Sequence, residues 1–425
     1  MKSADHCPRM AEAPAYCLGE LSPDKKADYV RHMAACPVCA RAAASFQRVI
    51  ARLREDPDAQ CSPSLSDRIA RRIEAGDTRP VRRGITWAIP ARVAALLLAT
   101  LGLGVFLTRD NRREDPSDLS AARREALVWL CQAQNPAGGW SAGEGAIREK
   151  YGIGVSALAL MALMQNPAES QREPTAAAIR RGVDFLVNAQ NDKGLFGAVF
   201  SGATYNQGLA TLALIEACAL ESNVAWRASA EKAVAYLVSI QDRTGGWDYL
   251  HSAPGSANTS ASVWPLLALL RAEELGYPEL RPAIERGVAW MKSTVNEEGH
   301  MGYRRANQSP YGTGTLTAAG VTCLARHGHP EDARLIETMA EAVRKTTPTS
   351  TPAMDYYRAF FTSEALASAP GATAGFLRAA LREQLVSLQS RTGPNRGSWE
   401  PTDRWGRTGG PVYSTALATL CMARD

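Results

Sequence analysis

Hydrophobic positions follow two patterns in the last three hundred residues of this chain. Segments such as "RGVDFLVNAQ" (181–190) and "KAVAYLVSIQ" (232–241) carry apolar residues on one face only. They alternate with "YGIGVSALALMALM", "YNQGLATLALIEA" and "YSTALATLC", which are rich in Ala and Leu and apolar nearly all round. The first pattern predicts amphipathic helices and the second predicts helices buried between layers. The first eighty residues are sparser. "LSPDKKADYVRHMAAC" opens with Ser22 as an N-cap, Pro23 at the first helical position and Asp24 at the positive end of the dipole, predicting a helix to about Met33. Phe46, Val49, Ile50 and Leu53 mark one face of a second helix, and "SPSLSDRIARRIEAG" offers a third. Between these regions, Val93 to Thr108 carries no charge, and Arg92 is the one charged residue back to Gly84. A bilayer core needs about 20 helical residues. With Trp87 suited to an interface and Arg92 able to reach the headgroups, the pattern predicts a single transmembrane helix over 85–108. Arginine is in excess before the segment (Arg71, Arg72, Arg79, Arg82, Arg83), which puts the N-terminus on the cytoplasmic side.

The alternation repeats in register. "RGVDFLVNAQNDKGLF" and "KAVAYLVSIQDRTGGW" superpose without a gap. "RGVAWMKSTVNEEGHM" keeps the frame with Val295 in the glutamine position, "EALVWLCQAQNPAGGW" comes first, and "REQLVSLQSRTGPNRGSW" comes last. The aromatic position is filled by Trp140, Phe196, Trp247, Met301 and Trp399, at intervals of 56, 51, 54 and 98. The final interval spans two periods and places a degenerate copy near 351–361, so six repeats of about fifty residues are expected. Stacked hairpins bury faces that one hairpin cannot, and closing them into a double ring removes the exposed ends.

These residues resemble the Gln-Trp motif of the squalene and hopene cyclases. Arg181, Gly182, Phe185, Leu186, Gln190, Gly194 and Phe196 fit it, as do Lys232, Ala233, Tyr236, Leu237, Gln241, Gly245 and Trp247. The resemblance covers about 120–425 and implies an α/α toroid, a fold shared with protein prenyltransferase β subunits and complement-type thioester domains. The motif itself reads as structural, with glutamine bonding backbone groups at a helix end. Fold does not fix function, and the motifs of the known chemistries are absent from the repeats: Asp-x-Asp-Asp of hopene cyclases, Asp-x-Cys of the prenyltransferase zinc site, and the thioester Cys-Gly-Glu-Gln. The expectation is therefore that the chain is not an enzyme. Asp355 with Tyr356 and Tyr357, and Asp248 with Tyr249 and His251, are the remaining places for an acid or a ligand. Tyr151, Tyr205, Tyr311 and Tyr413 recur at the starts of the second helices and are candidates to ring a cavity. Cys131 and Cys421 fall in the first and last repeats, which ring closure would bring together.

Composition adds two constraints. With 45% hydrophobic residues and a net charge of +5, the chain can build a core and has no cationic excess calling for direct contact with nucleic acid. Of nine cysteines, Cys7, Cys17, Cys36, Cys39 and Cys61 crowd the first 61 residues, which suggests a metal before a disulfide framework. In "HMAACPVCA", His32 at a helix end with Cys36 and Cys39 around a tight turn suits one tetrahedral zinc ion that staples a thin core. Cys7 is the chosen fourth ligand, with His6 and Cys17 as competitors. The His-x3-Cys-x2-Cys triplet behind this helix resembles the zinc-binding anti-sigma factor domain over about 1–80. That resemblance implies an extracytoplasmic-function sigma factor as partner and one structural zinc on Cys7, His32, Cys36 and Cys39.

The expected architecture is all-α: a zinc-knuckle helical domain (1–80), a basic linker (81–84), one transmembrane helix (85–108), a linker (109–120) and a six-repeat toroid (121–425). The expected function is a single-pass regulator of the cytoplasmic membrane, with the N-terminal domain sequestering a sigma factor inside and the toroid binding an unknown ligand or protein outside. The alternatives are a membrane-tethered terpenoid cyclase-like or lipid-modifying enzyme, and a non-catalytic protein-binding scaffold.

Overall fold

The structure is a computed structural model and describes residues 7, 16, 23–36, 39–40, 43, 116–143, 146–250, 255–308, 314–348 and 353–422. The chain divides into two units, Met1–Thr100 and Leu101–Asp425. In the first, helix α1 (Pro23–Ala35) carries Tyr29 fully buried beside Tyr16, with ring centroids 5.4 Å apart.

In the second unit an outer helix alternates with an inner one. The outer helices are α2 (Pro116–Gln132), α5 (Thr175–Ala189), α7 (Val224–Ser239), α9 (Arg281–Ser293), α11 (Ala333–Thr346) and α13 (Ala372–Leu388). The inner helices are α3 (Ala146–Met164), α6 (Ala203–Leu220), α8 (Thr259–Glu274), α10 (Gly314–His327), α12 (Tyr356–Ser368) and α14 (Gly406–Cys421); α4 (Pro167–Ser170) is a single turn. The outer helices are amphipathic because they face solvent on one side. In α5, Ile179, Val183 and Leu186 are buried while Arg180 and Arg181 are exposed. Inner α6 is buried from Thr204 to Ile215 apart from Tyr205, which is why its sequence has no polar face. Asn223 and Asn258 start α7 and α8 by accepting from the N–H groups of Ala225 and Ala261, each at 3.0 Å or less.

The inner helices close on themselves: α6 packs on α3 and α8, α10 on α8 and α12, and α14 on α12 and back on α3. Outer α13 likewise reaches α2. The degenerate copy is the α11–α12 pair, with Met354 buried just before α12.

The Gln-Trp motif is the joint between neighbours. Gln134 Nε2 donates to Gly138 O at 2.7 Å and to Ala178 O on the next outer helix at 2.8 Å. Gln241 does the same to Gly245 O and Ala283 O, both at 2.8 Å. Gln389 seals the ring by reaching Ala122 O at 2.7 Å. The indoles of Trp140, Trp247 and Trp399 are fully buried, and their N–H groups donate to the carbonyls of Leu130, Leu237 and Leu385 at 2.7–2.9 Å. The motif glycine is required by close approach: Gly245 has φ +104°, and a Cβ there would sit 2.2 Å from Arg286 O.

One part of the expected fold class is corrected. Among the described residues no helix is long and apolar enough to cross a membrane, and 85–108, where the span was expected, lies outside the described residues. The long apolar helices present owe their composition to burial by protein: α3 opens with Arg148, Glu149 and Lys150 and then packs its apolar length against α6 and α14. Among the described residues the architecture is all-helical with a toroid, and no transmembrane helix is found there.

Candidate functional site

The first turns of the inner helices converge on a cavity of about 300 Å3. Eight aromatic side chains line it: Tyr151, Tyr205, Tyr249, Trp264, Tyr303, Tyr357, Trp405 and Tyr413. Aliphatic lining comes from Val155, Leu158, Leu209 and Leu316, and Asp355 is the one carboxylate among the lining residues. The ring size of the toroid makes the cavity, because six helix starts cannot fill the axis that they surround.

Most aromatic hydroxyls are already engaged. Tyr205 bonds the Ser260 hydroxyl and stacks on Tyr249 at 5.9 Å between centroids. Tyr303 OH donates to Tyr249 OH at 2.8 Å, and Trp264 Nε1 donates to Tyr357 OH at 3.0 Å. Tyr413 OH is buried with no hydrogen-bond partner among the described residues. Burial raises Tyr205, Tyr357 and Tyr413 above the usual phenol range, so the wall stays uncharged at neutral pH. Behind it, Trp264 stacks on Phe360 at 5.7 Å and meets Phe361 at 5.3 Å.

Two carboxylates meet at the start of α12. Asp355 Oδ1 accepts from Arg358 N at 2.9 Å as the N-cap, and Asp403 Oδ2 accepts from Tyr356 N at 3.0 Å. Burial pushes the Asp403 carboxyl above its ordinary value, and the charge of Asp355 adds to this. The positive end of the α12 dipole is what allows two acidic groups there.

Of the four predicted cavity tyrosines, Tyr151, Tyr205 and Tyr413 share this cavity, while Tyr311 lies outside the described residues. Asp355, Tyr357 and Tyr249 also line it. Tyr356 is buried beside Asp403. Asp248 is spent on its own loop, accepting from Leu250 N at 3.1 Å and Ser256 Oγ at 2.7 Å; His251 lies outside the described residues. Sequence reasoning passed over Trp264 and Asp403. Trp264 is the one ring in the apolar run of α8, whereas nothing local marks Asp403, which acts across about fifty residues. Cys131 and Cys421 are both free thiols, the first 4.0 Å from Thr175 Oγ1 and the second buried in α14.

In the N-terminal unit, Cys7, His32, Cys36 and Cys39 place one ligand atom each within 4.8 Å of all the others. His32 Nε2 is 3.4 Å from Cys7 Sγ and 3.3 Å from Cys39 Sγ. His6 and Cys17 lie outside the described residues.

Residues 177–315 match the squalene-hopene cyclase C-terminal domain family. The squalene–hopene cyclase of Zymomonas mobilis is 26% identical over 208 residues, covering 43% of this chain and 30% of that protein. The drimenyl diphosphate synthase of Streptomyces showdoensis is 30% identical over 198 residues, covering 45% of this chain and 34% of that protein. The toroid is squalene–hopene cyclase-like. The chain spans about a third of the length of these curated relatives. Among solved structures, the type II terpene cyclase MstE from Scytonema superposes with a TM-score of 0.52 at 18% identity, over 72% of this chain and 98% of that one. The cellobiose 2-epimerase of Spirochaeta thermophila gives 0.57 at 17% identity, over 72% and 95%. At such identities these likenesses show the shared toroid fold alone. The expectation of a non-enzymatic toroid is corrected, because the sequence relatives are enzymes by name; the missing motifs of known active sites are no guide when the lining is assembled from residues far apart in the chain.

Proposed function

We propose that the toroid is a terpenoid cyclase-like enzyme acting on a polyprenyl chain. The carrying observation is the cavity: eight aromatic side chains, an apolar wall and a single carboxylate on the rim of its lining. An apolar chain is favoured there by burial, and a carbocation formed on it would be stabilised by ring faces in a space with little water. Asp355 is the proposed acid. One carboxyl oxygen caps α12, and the other is the proposed donor to an alkene carbon; the O–H bond breaks, a C–H bond forms, and the neighbouring carbon becomes the cation that the next double bond attacks. Loss of a proton from the final cation ends the sequence. Asp403, whose carboxyl burial pushes above its ordinary value, is the proposed source of the replacement proton. Sequence relatives named as cyclases support this reading. A cavity at the small end of the usual ligand-pocket range favours a short prenyl chain over one of triterpene length. The full chain, incubated with geranyl-, farnesyl- and geranylgeranyl-based substrates, is expected to give cyclic products, and Asp355→Asn to lower turnover at least about a hundredfold. Equal turnover by the variant would remove Asp355 from this role.

For the N-terminal unit we propose a structural zinc on Cys7, His32, Cys36 and Cys39. Three thiolates and an imidazole are a donor set that zinc takes tetrahedrally, and separations of 3.3–3.4 Å fit ligands sharing one ion. Bound there, zinc would staple the helix ends. Mass spectrometry of the native chain is expected to show one ion lost on Cys36→Ser with Cys39→Ser; unchanged zinc content would contradict the site. A sigma factor as partner of this unit remains a proposal from the resemblance, tested by pull-down with the full chain.

A further inference from the structure

Helix α10 ends far from the cavity. Its first turn contributes Thr315 and Leu316 to the lining, and its last residue, His327, stands about 20 Å further on at 1.5 Å per residue. Gly328, at φ +74°, turns the chain back so that His329 stacks on His327 with centroids 4.0 Å apart and planes at 18°. Nε2 of both imidazoles lies near one oxygen of Glu285 on α9, at 3.3 Å from His327 and 3.8 Å from His329. All three donor atoms lie within 4.8 Å of one another. The far nitrogens face carboxylates too: His327 Nδ1 is 3.9 Å from Asp332 Oδ2, and His329 Nδ1 is 3.7 Å from Glu331 Oε1. His327 and Asp332 are 1% and 3% exposed, and those two facing atoms have no hydrogen-bond partner among the described residues.

We infer that Glu285, His327 and His329 form a second metal site, binding a divalent ion of the zinc class between α9 and α10. Two imidazoles and one carboxylate are a zinc donor set that leaves the fourth position to water. Ligands sharing a tetrahedral ion at about 2.0–2.1 Å lie about 3.4 Å apart; His327 Nε2 stands at that spacing from the Glu285 oxygen, and His329 Nε2, at 3.8 Å, would close in by a few tenths of an ångström. Ligating imidazoles commonly donate their second N–H to a carboxylate, which fixes tautomer and orientation; Asp332 and Glu331 stand in those places. The competing cation is Arg281, whose Nη1 is 3.5 Å from the same Glu285 oxygen. Its Nε holds Glu273 at 2.9 Å, so it keeps a partner when Glu285 turns to an ion. Lys292 is occupied by the other oxygen of Asp332. The site lies outside the cavity and clasps an outer helix to an inner one.

The test uses zinc chloride and cobalt chloride with the full chain. In a Cys36→Ser, Cys39→Ser background, native mass spectrometry is expected to show one bound zinc, and cobalt a visible ligand-field spectrum without a thiolate charge-transfer band. Adding Glu285→Gln and His329→Gln, both at partly exposed positions, is expected to abolish that ion and the rise in melting temperature that zinc produces. No zinc bound in the Cys36→Ser, Cys39→Ser background, or equal binding after the added substitutions, would overturn the assignment.

Discussion

At the residue scale, one glycine shows how the joint between repeats limits substitution. At Gly245 a Cβ would collide with a backbone carbonyl at 2.2 Å, whereas Gly276, at φ +75°, has nothing within 4 Å of its Cβ position. Gly245→Ala therefore combines left-handed backbone strain with displacement of α9, and is expected to destabilise the toroid by about 3 kcal/mol or more, against about 1 kcal/mol for Gly276→Ala. Unfolding in denaturant followed by tryptophan fluorescence measures both; equal losses would mean that the neighbour yields freely. The motif was legible in the sequence because the same residues do the same task in several repeats. Val295 shows its limit: with no glutamine amide there, Gly299 still approaches Thr338 O to 2.8 Å from its Cβ position. Asp403 and the pair His327 and His329 were not legible, since each acquires its role from partners about forty or more residues away in the chain.

At the element scale, the outer–inner alternation was readable from polarity alone, because solvent touches only one ring of helices. The ends of the inner helices were harder to read. There Arg271 on α8 holds Glu216 on α6 through two bonds at 3.0 Å, and Glu274 at 2.9 Å, while Arg326 on α10 reaches Glu274 at 3.1 Å. Burial pushes Glu274 up, but the guanidinium groups of Arg271 and Arg326 outweigh it and hold its carboxyl below the ordinary value. A lowered value in the folded state means that this stability is present above about pH 4.3 and is lost as pH falls below it. Glu274→Gln is expected to cost about 0.5–1 kcal/mol at pH 7, the group being partly exposed, and less than half of that at pH 3. A pH-independent loss in chemical denaturation would assign the effect to packing instead.

At the scale of the whole molecule, six helix pairs form a closed ring among the described residues, sealed by Gln389 on Ala122 and by α14 on α3. Closure was expected from the need to bury exposed ends, and it creates the axis where the cavity lies. The cavity's chemistry was only partly legible. Tyrosines at helix starts recur in register, but Trp264, Tyr303 and Trp405 enter from loops and from an apolar helix whose pattern reads as core. A wall of uncharged aromatic rings with one carboxylate is the feature on which the proposed cation chemistry on a prenyl chain rests. Product analysis after incubating the full chain with farnesyl- and geranylgeranyl-based substrates tests that claim most directly. The account predicts cyclised products from the native chain and at least about a hundredfold less from Asp355→Asn; linear substrate recovered unchanged from the native chain would contradict it.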